Sequence, residues 1–174
     1  HYIGISKKND SFKRLVVKPH DKRLRILSNE HPHNKGSRVT DEMILFFFDI
    51  NSLEIKQYLH PTDFNELGKN ELEDRLRIFK DAEKAFVNIL DTNYNEIKFK
   101  DYPNYADTLI NSTVERYSFS INEDIEFITD KTTIFGAREN YGMSKDQADF
   151  IFIDKDTGSV ELMKLKDKST KGWK

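Results

Sequence analysis

The sequence predicts an α+β fold: a mixed, largely antiparallel sheet with one long amphipathic helix, about residues 71–91, packed on one face. Three observations carry this. Short runs of alternating apolar and polar residues occur at both ends of the chain. One long stretch alone has a sustained helical period. Strands accompanied by a single long helix do not make a doubly wound plan. A chain of 174 residues that is 37% hydrophobic and 12% aromatic can build one core, so a single domain spanning 1–174 is expected.

Residues 2–6 (Y-I-G-I-S), 12–18 (F-K-R-L-V-V-K) and 22–28 (K-R-L-R-I-L-S) read as strands, making residues 1–40 a basic β segment. In the third run Leu24 and Ile26 share one face, and Arg23 and Arg25 the other. Met43–Phe48 is a continuous apolar run ending in Asp49, expected as a strand buried on both faces.

Within 71–91, Leu72, Leu76, Phe79, Phe86 and Leu90 form one apolar stripe. Asn70 and Glu73 suit a capping box, and Glu71–Arg75, Glu73–Arg77 and Arg77–Asp81 are i,i+4 pairs expected on the wet side. A short helix is expected before it, opened by Thr62 or Asp63 and stopped by Gly68, and another over 104–111. Residues 113–121 alternate, and the turn Asn122-Glu123-Asp124 predicts 125–129 as the hairpin partner. Residues 136–148 lack a period and read as a loop. Phe150–Ile153 and Val160–Leu165 read as strands joined by D-K-D-T-G, with Gly158 in a left-handed turn position.

The net charge of -2 conceals a partition. Residues 1–40 hold ten Lys/Arg against three acids, a net of +7, and the remainder carries -9. Four of the five histidines also lie in the basic part. Such a partition predicts a positive face for a polyanion, foremost nucleic acid, or for an acidic protein. Its alternative is self-complementation, the basic end packing on the acidic remainder. The contact set for phosphate is Lys13, Arg14, Lys18, Lys22, Arg23, Arg25, Lys35 and Arg38, and the expected function is nucleic-acid-directed, by binding or metal-independent cleavage. The second expectation is an inhibitor- or immunity-type interaction module.

Residues 28–40, S-N-E-H-P-H-N-K-G-S-R-V-T, concentrate the chemistry. In N-K-G-S-R, glycine lets main-chain amides approach an anion while Lys35, Ser37 and Arg38 supply donors, although no P-loop frame is present. His20, His31 and His33 are the candidates for acid–base work. His31 and His33 could face one metal ion, but a zinc site needs further ligands that have no recognisable spacing here. No cofactor is expected. A third reading, a Mg²⁺-dependent nuclease or hydrolase, draws on the strand-end carboxylates Asp49, Asp149, Asp154 and Glu161.

The stretch from Asp149 through Glu161 to Lys166 loosely resembles the core hairpin of restriction-endonuclease-like nucleases. That resemblance implies a Mg²⁺-binding aspartate at Asp149 and a motif lysine at Lys166. Its acid position then falls on Lys164, which cannot bind a metal, and sliding the frame to Glu161 puts Met163 in the lysine's place. A plain hairpin with charged ends explains the stretch better.

No apolar run is long enough to span a bilayer, so no membrane partner is expected. Zero cysteines exclude disulfides and thiolate chemistry and fit a cytoplasmic setting. Residue 1 is histidine, and Lys7, Lys8 and Asp10 interrupt any secretory leader, so a fragment or processed form is expected. Trp173, in a charged tail, is an anchor for the domain or a partner.

Overall fold

The computed structural model describes residues 1–6, 11–18, 20–49, 75–103, 116–137 and 148–164. It is an α+β structure with antiparallel pairing throughout its described sheets. The helices are α1 (Asp21–Asn29), α2 (Val39–Glu42) and α3 (Arg75–Leu90), preceded by a π-helical turn over Lys13–Val17. The strands are β1 (Arg116–Ser120), β2 (Glu126–Ile128), β3 (Thr133–Phe135), β4 (Phe150–Asp154) and β5 (Ser159–Met163). One sheet has the order β1-β4-β5, and a second consists of β2 and β3.

Strand β4 is central because both of its edges are paired, with Phe119 opposite Ile151 on one side and Leu162 opposite Ile151 on the other. Its sequence, F-I-F-I-D, is rich in β-branched and aromatic residues that suit a pleated, buried surface. Ile151 and Ile153 are fully buried and join Ala85, Leu90, Tyr102, Ile121 and Ile134 in the core, with α3 packed against β4 and β5. Burial of each isoleucine contributes roughly 1.5–3 kcal/mol. At the β4–β5 turn, Asp154 Oδ1 accepts the main-chain N–H groups of Asp156 (2.9 Å) and Thr157 (3.2 Å), and Gly158 takes φ 67° as expected. Across β1–β4, Arg116 Nε donates to Asp154 Oδ2 at 3.0 Å, consistent with their paired register.

The expected 113–121/125–129 hairpin is corrected. Strand β1 pairs with β4, and β2 pairs with β3. The chain after β3 comes between them: Gly136 N–H donates to Ile125 O and Ala137 N–H to Ile121 O, both at 2.8 Å. A side chain at 136 would place its Cβ 2.0 Å from Glu123 O, so only glycine permits this approach.

The basic segment is helical, not β. Positions 22, 23, 26 and 27 are half-buried in α1, a helical spacing that a seven-residue window had equally allowed as alternation. His20 caps α1, its Nδ1 accepting Arg23 N–H at 3.4 Å, and Asp21 follows in the first turn. Residues 2–6 form no strand. Instead, the Asn95 side chain accepts Ile3 N–H (2.9 Å) and donates to Ile3 O (2.7 Å), standing in for a neighbouring strand. The Met43–Phe48 run is also not a buried strand: Ile44 is 72% exposed, and Leu45 through Phe48 are exposed after it.

Helix α3 matches the expected long helix over its described part. Burial extends beyond the expected stripe: Leu90 of that stripe is buried and Leu76, Phe79 and Phe86 are half-buried, while Ile78, Asp81, Ala85 and Val87 are buried outside it. With 100° per residue, Ile78, Asp81, Ala85 and Ile89 fall within about 80° of one another. The capping box, the helices expected near 62–68 and 104–111, most of the 136–148 loop, and Trp173 lie outside the described residues.

Truncation separates the two isoleucine environments. Ile151→Ala should cost about 2–5 kcal/mol in denaturant unfolding, whereas Ile44→Ala should stay within about 0.5 kcal/mol. Equal losses would contradict the central position of β4.

Candidate functional site

Residues 91–96, immediately after α3, clamp the N-terminal segment to the domain. Besides the Asn95–Ile3 pair, Tyr94 N–H donates to His1 O (3.2 Å) and Tyr94 Oη donates to Glu30 Oε1 (2.6 Å). Thr92 Oγ1 donates to Asn95 Oδ1 at 2.6 Å and holds that amide in place. Asp91 sits at φ 44°, the left-handed conformation that turns the chain out of the helix.

Much of the expected phosphate-contact set is engaged within the molecule. Lys22 and Arg25 both pair with Glu96, whose pKa falls mainly through the Lys22 hydrogen bond. Arg14 donates to Ile5 O, and Arg23 Nη1 donates to Leu15 O (3.1 Å) and Val16 O (3.4 Å). Lys13 is exposed and also has an interaction partner. Lys18, Lys35 and Arg38 are exposed, and Lys18 and Lys35 make no ion pair among the described residues.

The loop carrying Lys35 and Arg38 is folded back on α2 by one carboxylate. Glu42 accepts the N–H groups of His33 (2.5 Å) and Asn34 (2.8 Å) and the Asn34 side-chain amide (2.9 Å), and these bonds lower its pKa. Asp41 accepts Arg38 N–H at 3.0 Å, and Ser37 N–H closes the turn onto Asn34 O with Gly36 at φ 89°. Within N-K-G-S-R the main-chain N–H groups of Asn34, Ser37 and Arg38 are therefore taken by the protein's own acceptors.

The candidate histidines are not gathered. His31 and His33 lie on the exposed loop, whereas His20 is at the opposite end of α1, a nine-residue helix about 13 Å long. Burial, followed by the Arg14 charge, lowers the His20 pKa and favours the neutral ring that its capping role requires. The carboxylates of the metal reading are also dispersed. Asp149 is buried and accepts Phe135 N–H at 3.1 Å, while Asp154 is committed to its turn and Arg116. They flank β4, about 16 Å apart along the strand. Asp49 and Glu161 are exposed. Among the described residues no group of three or more His, Cys, Asp or Glu is arranged to hold a metal.

Two features escaped the sequence reading. The first is an exposed aromatic row. Phe46 and Phe48 have near-parallel rings, 6.2 Å between centroids and 20° between planes. Both meet the Phe127 ring edge-on, at 5.4 and 6.1 Å. The second is Asp81. It is 0% exposed, and neither carboxylate oxygen has a hydrogen bond in good geometry among the described residues. Burial raises its pKa to about 6, against a smaller opposing pull from the Tyr117 and Tyr102 hydroxyls and from Lys84 and Lys155. The two tyrosine hydroxyls are 3.2 Å apart, and burial together with Asp81 pushes both phenols upward. Because its i,i+4 partner Arg77 suggested a wet face, only the buried positions of Ile78 and Ala85 on the same arc could have flagged Asp81.

No protein-family model, curated protein or solved structure matches the chain. No helix among the described residues is long and apolar enough to cross a membrane.

The raised pKa makes Asp81 a pH-dependent liability. Its proton is held more tightly in the folded than in the unfolded chain, so stability is greatest below about pH 4 for this group and falls as pH rises through about 6. Asp81→Asn should therefore stabilise the protein by up to about 3 kcal/mol at pH 8 and leave it nearly unchanged at pH 4. Chemical denaturation at both values checks this. An equal effect at both would remove ionisation as the cause.

Proposed function

We propose that this is a nucleic-acid-directed binding protein whose contact surface centres on the exposed loop of residues 31–38. The observation that carries this reading is the exposure of Lys35 and Arg38 on a turn held in shape by Glu42 and Asp41. A preset turn places both charges without ordering them on binding, which reduces the entropic cost of capture. Lys18 adds a third exposed cation. Lys22 and Arg25 belong to a reserve: exposed ion pairs are weak, so a phosphate can compete with Glu96 for them. Binding is the proposal, since the three histidines do not share one site. An interaction module is the second reading, favoured by the exposed aliphatic pair Ile44 and Leu45.

Labelled RNA and DNA should bind at low salt, with affinity falling steeply as salt rises. Lys35→Glu with Arg38→Glu should reduce the log–log salt slope by about two and leave the melting temperature nearly unchanged. Failure of every nucleic acid to bind at low salt would falsify this reading and leave the interaction module in its place.

A further inference from the structure

Resting on that reading, we infer that the exposed rings of Phe46 and Phe48, with Phe127, form a base-stacking platform and that the ligand is single-stranded nucleic acid. Phe46, Phe47 and Phe48 are 49%, 50% and 49% exposed. Each leaves on the order of 100 Å² of its surface in water, a concentration of exposed rings in one short segment that folding alone does not favour. Phe46 and Phe48 lie on the same side of an extended segment, and Phe127 fixes both by edge contacts from β2. Their faces are thus oriented in advance instead of being free to swing.

Charge complementarity identifies the occupant. The row begins just beyond Glu42, the residue that holds the Lys35 loop. From Glu42 to Phe46 an extended chain spans about 13 Å, so rings and cations lie within reach of a few nucleotides. A single strand offers both complements at once, unpaired base faces for the rings and phosphates for Lys35 and Arg38. In a duplex the base faces are already stacked on each other, so the rings would find no partner. An acidic protein surface would satisfy the cations but leave the exposed rings in water.

A single-stranded oligonucleotide and its duplex, titrated against wild type and the Phe46→Leu/Phe48→Leu variant, test this. Leucine keeps the patch apolar and removes the rings. The expected result is preference for the single strand, weakened by about tenfold or more per ring in the variant, with duplex affinity unchanged. Equal affinity for strand and duplex, unaffected by the variant, overturns the platform and leaves salt-dependent binding through the loop intact. Binding of neither overturns both. Phe48→Trp, in a Trp173→Phe background, gives a readout independent of the double variant's folding: indole emission should be quenched by the single strand. Unchanged emission at saturation would overturn stacking.

Discussion

The structure depends on β4 being paired on both edges while Ile151 and Ile153 are sealed against α3. A strand in that position has no solvent-facing edge, so all its main-chain groups must find partners in β1 and β5. Asp149 and Asp154 then become fittings for the strand ends. One holds the start of the sheet to β3 through Phe135 N–H, and the other closes the hairpin turn. Carboxylates at strand ends invite a catalytic interpretation, but here their hydrogen bonds are spent on the fold.

The C-terminal half was largely legible in the sequence because its signals are local. The F-I-F-I-D strand, the D-K-D-T-G turn and the alternation of Arg116–Ser120 each identify an element within a few residues. The β4–β5 partnership was legible through its turn, but the partners of β1 and β2 were not, because Gly136 enters between Ile121 and Ile125 from a distance in sequence and turn chemistry at Asn122–Asp124 cannot report it. The basic end was misread for a related reason. In K-R-L-R-I-L-S the apolar positions satisfy both periods, and the deciding features lie outside that window: the His20 cap and contacts to residues 91–96. Met43–Phe48 was misplaced because hydrophobicity alone predicts burial, whereas exposure of such a run is where function departs from folding economy.

The charge partition resolves into two populations. Lys22 and Arg25 pair with Glu96 of the acidic remainder, while Arg14 and Arg23 donate to carbonyls within the basic segment itself. This is the self-complementation alternative, realised in part. The cations on the 31–38 loop are different: the carboxylates nearest them, Glu42 and Asp41, are taken up by main-chain N–H groups, not by Lys35 or Arg38. Spending the acids on the backbone keeps the loop rigid while its side-chain charge remains outward. Net charge could not distinguish these populations, because it does not record which acids are already committed to amides.

Glu42 and Asp81 show how the division of labour runs through the whole molecule. Each is a single carboxylate, and their environments drive them in opposite directions. Glu42, in water and holding three N–H donors, is driven toward ionisation and fixes an exposed loop. Asp81, without a hydrogen bond in good geometry and surrounded by the core, is driven toward the neutral acid and taxes the domain's stability. A chain selected for stability alone would place an apolar side chain at 81 and polar ones at 46–48. The actual chain does neither. The aromatic row is the more informative departure, because it lies exposed a few residues from the loop's cations, while Asp81 is sealed on the buried face of α3 where no large ligand reaches it.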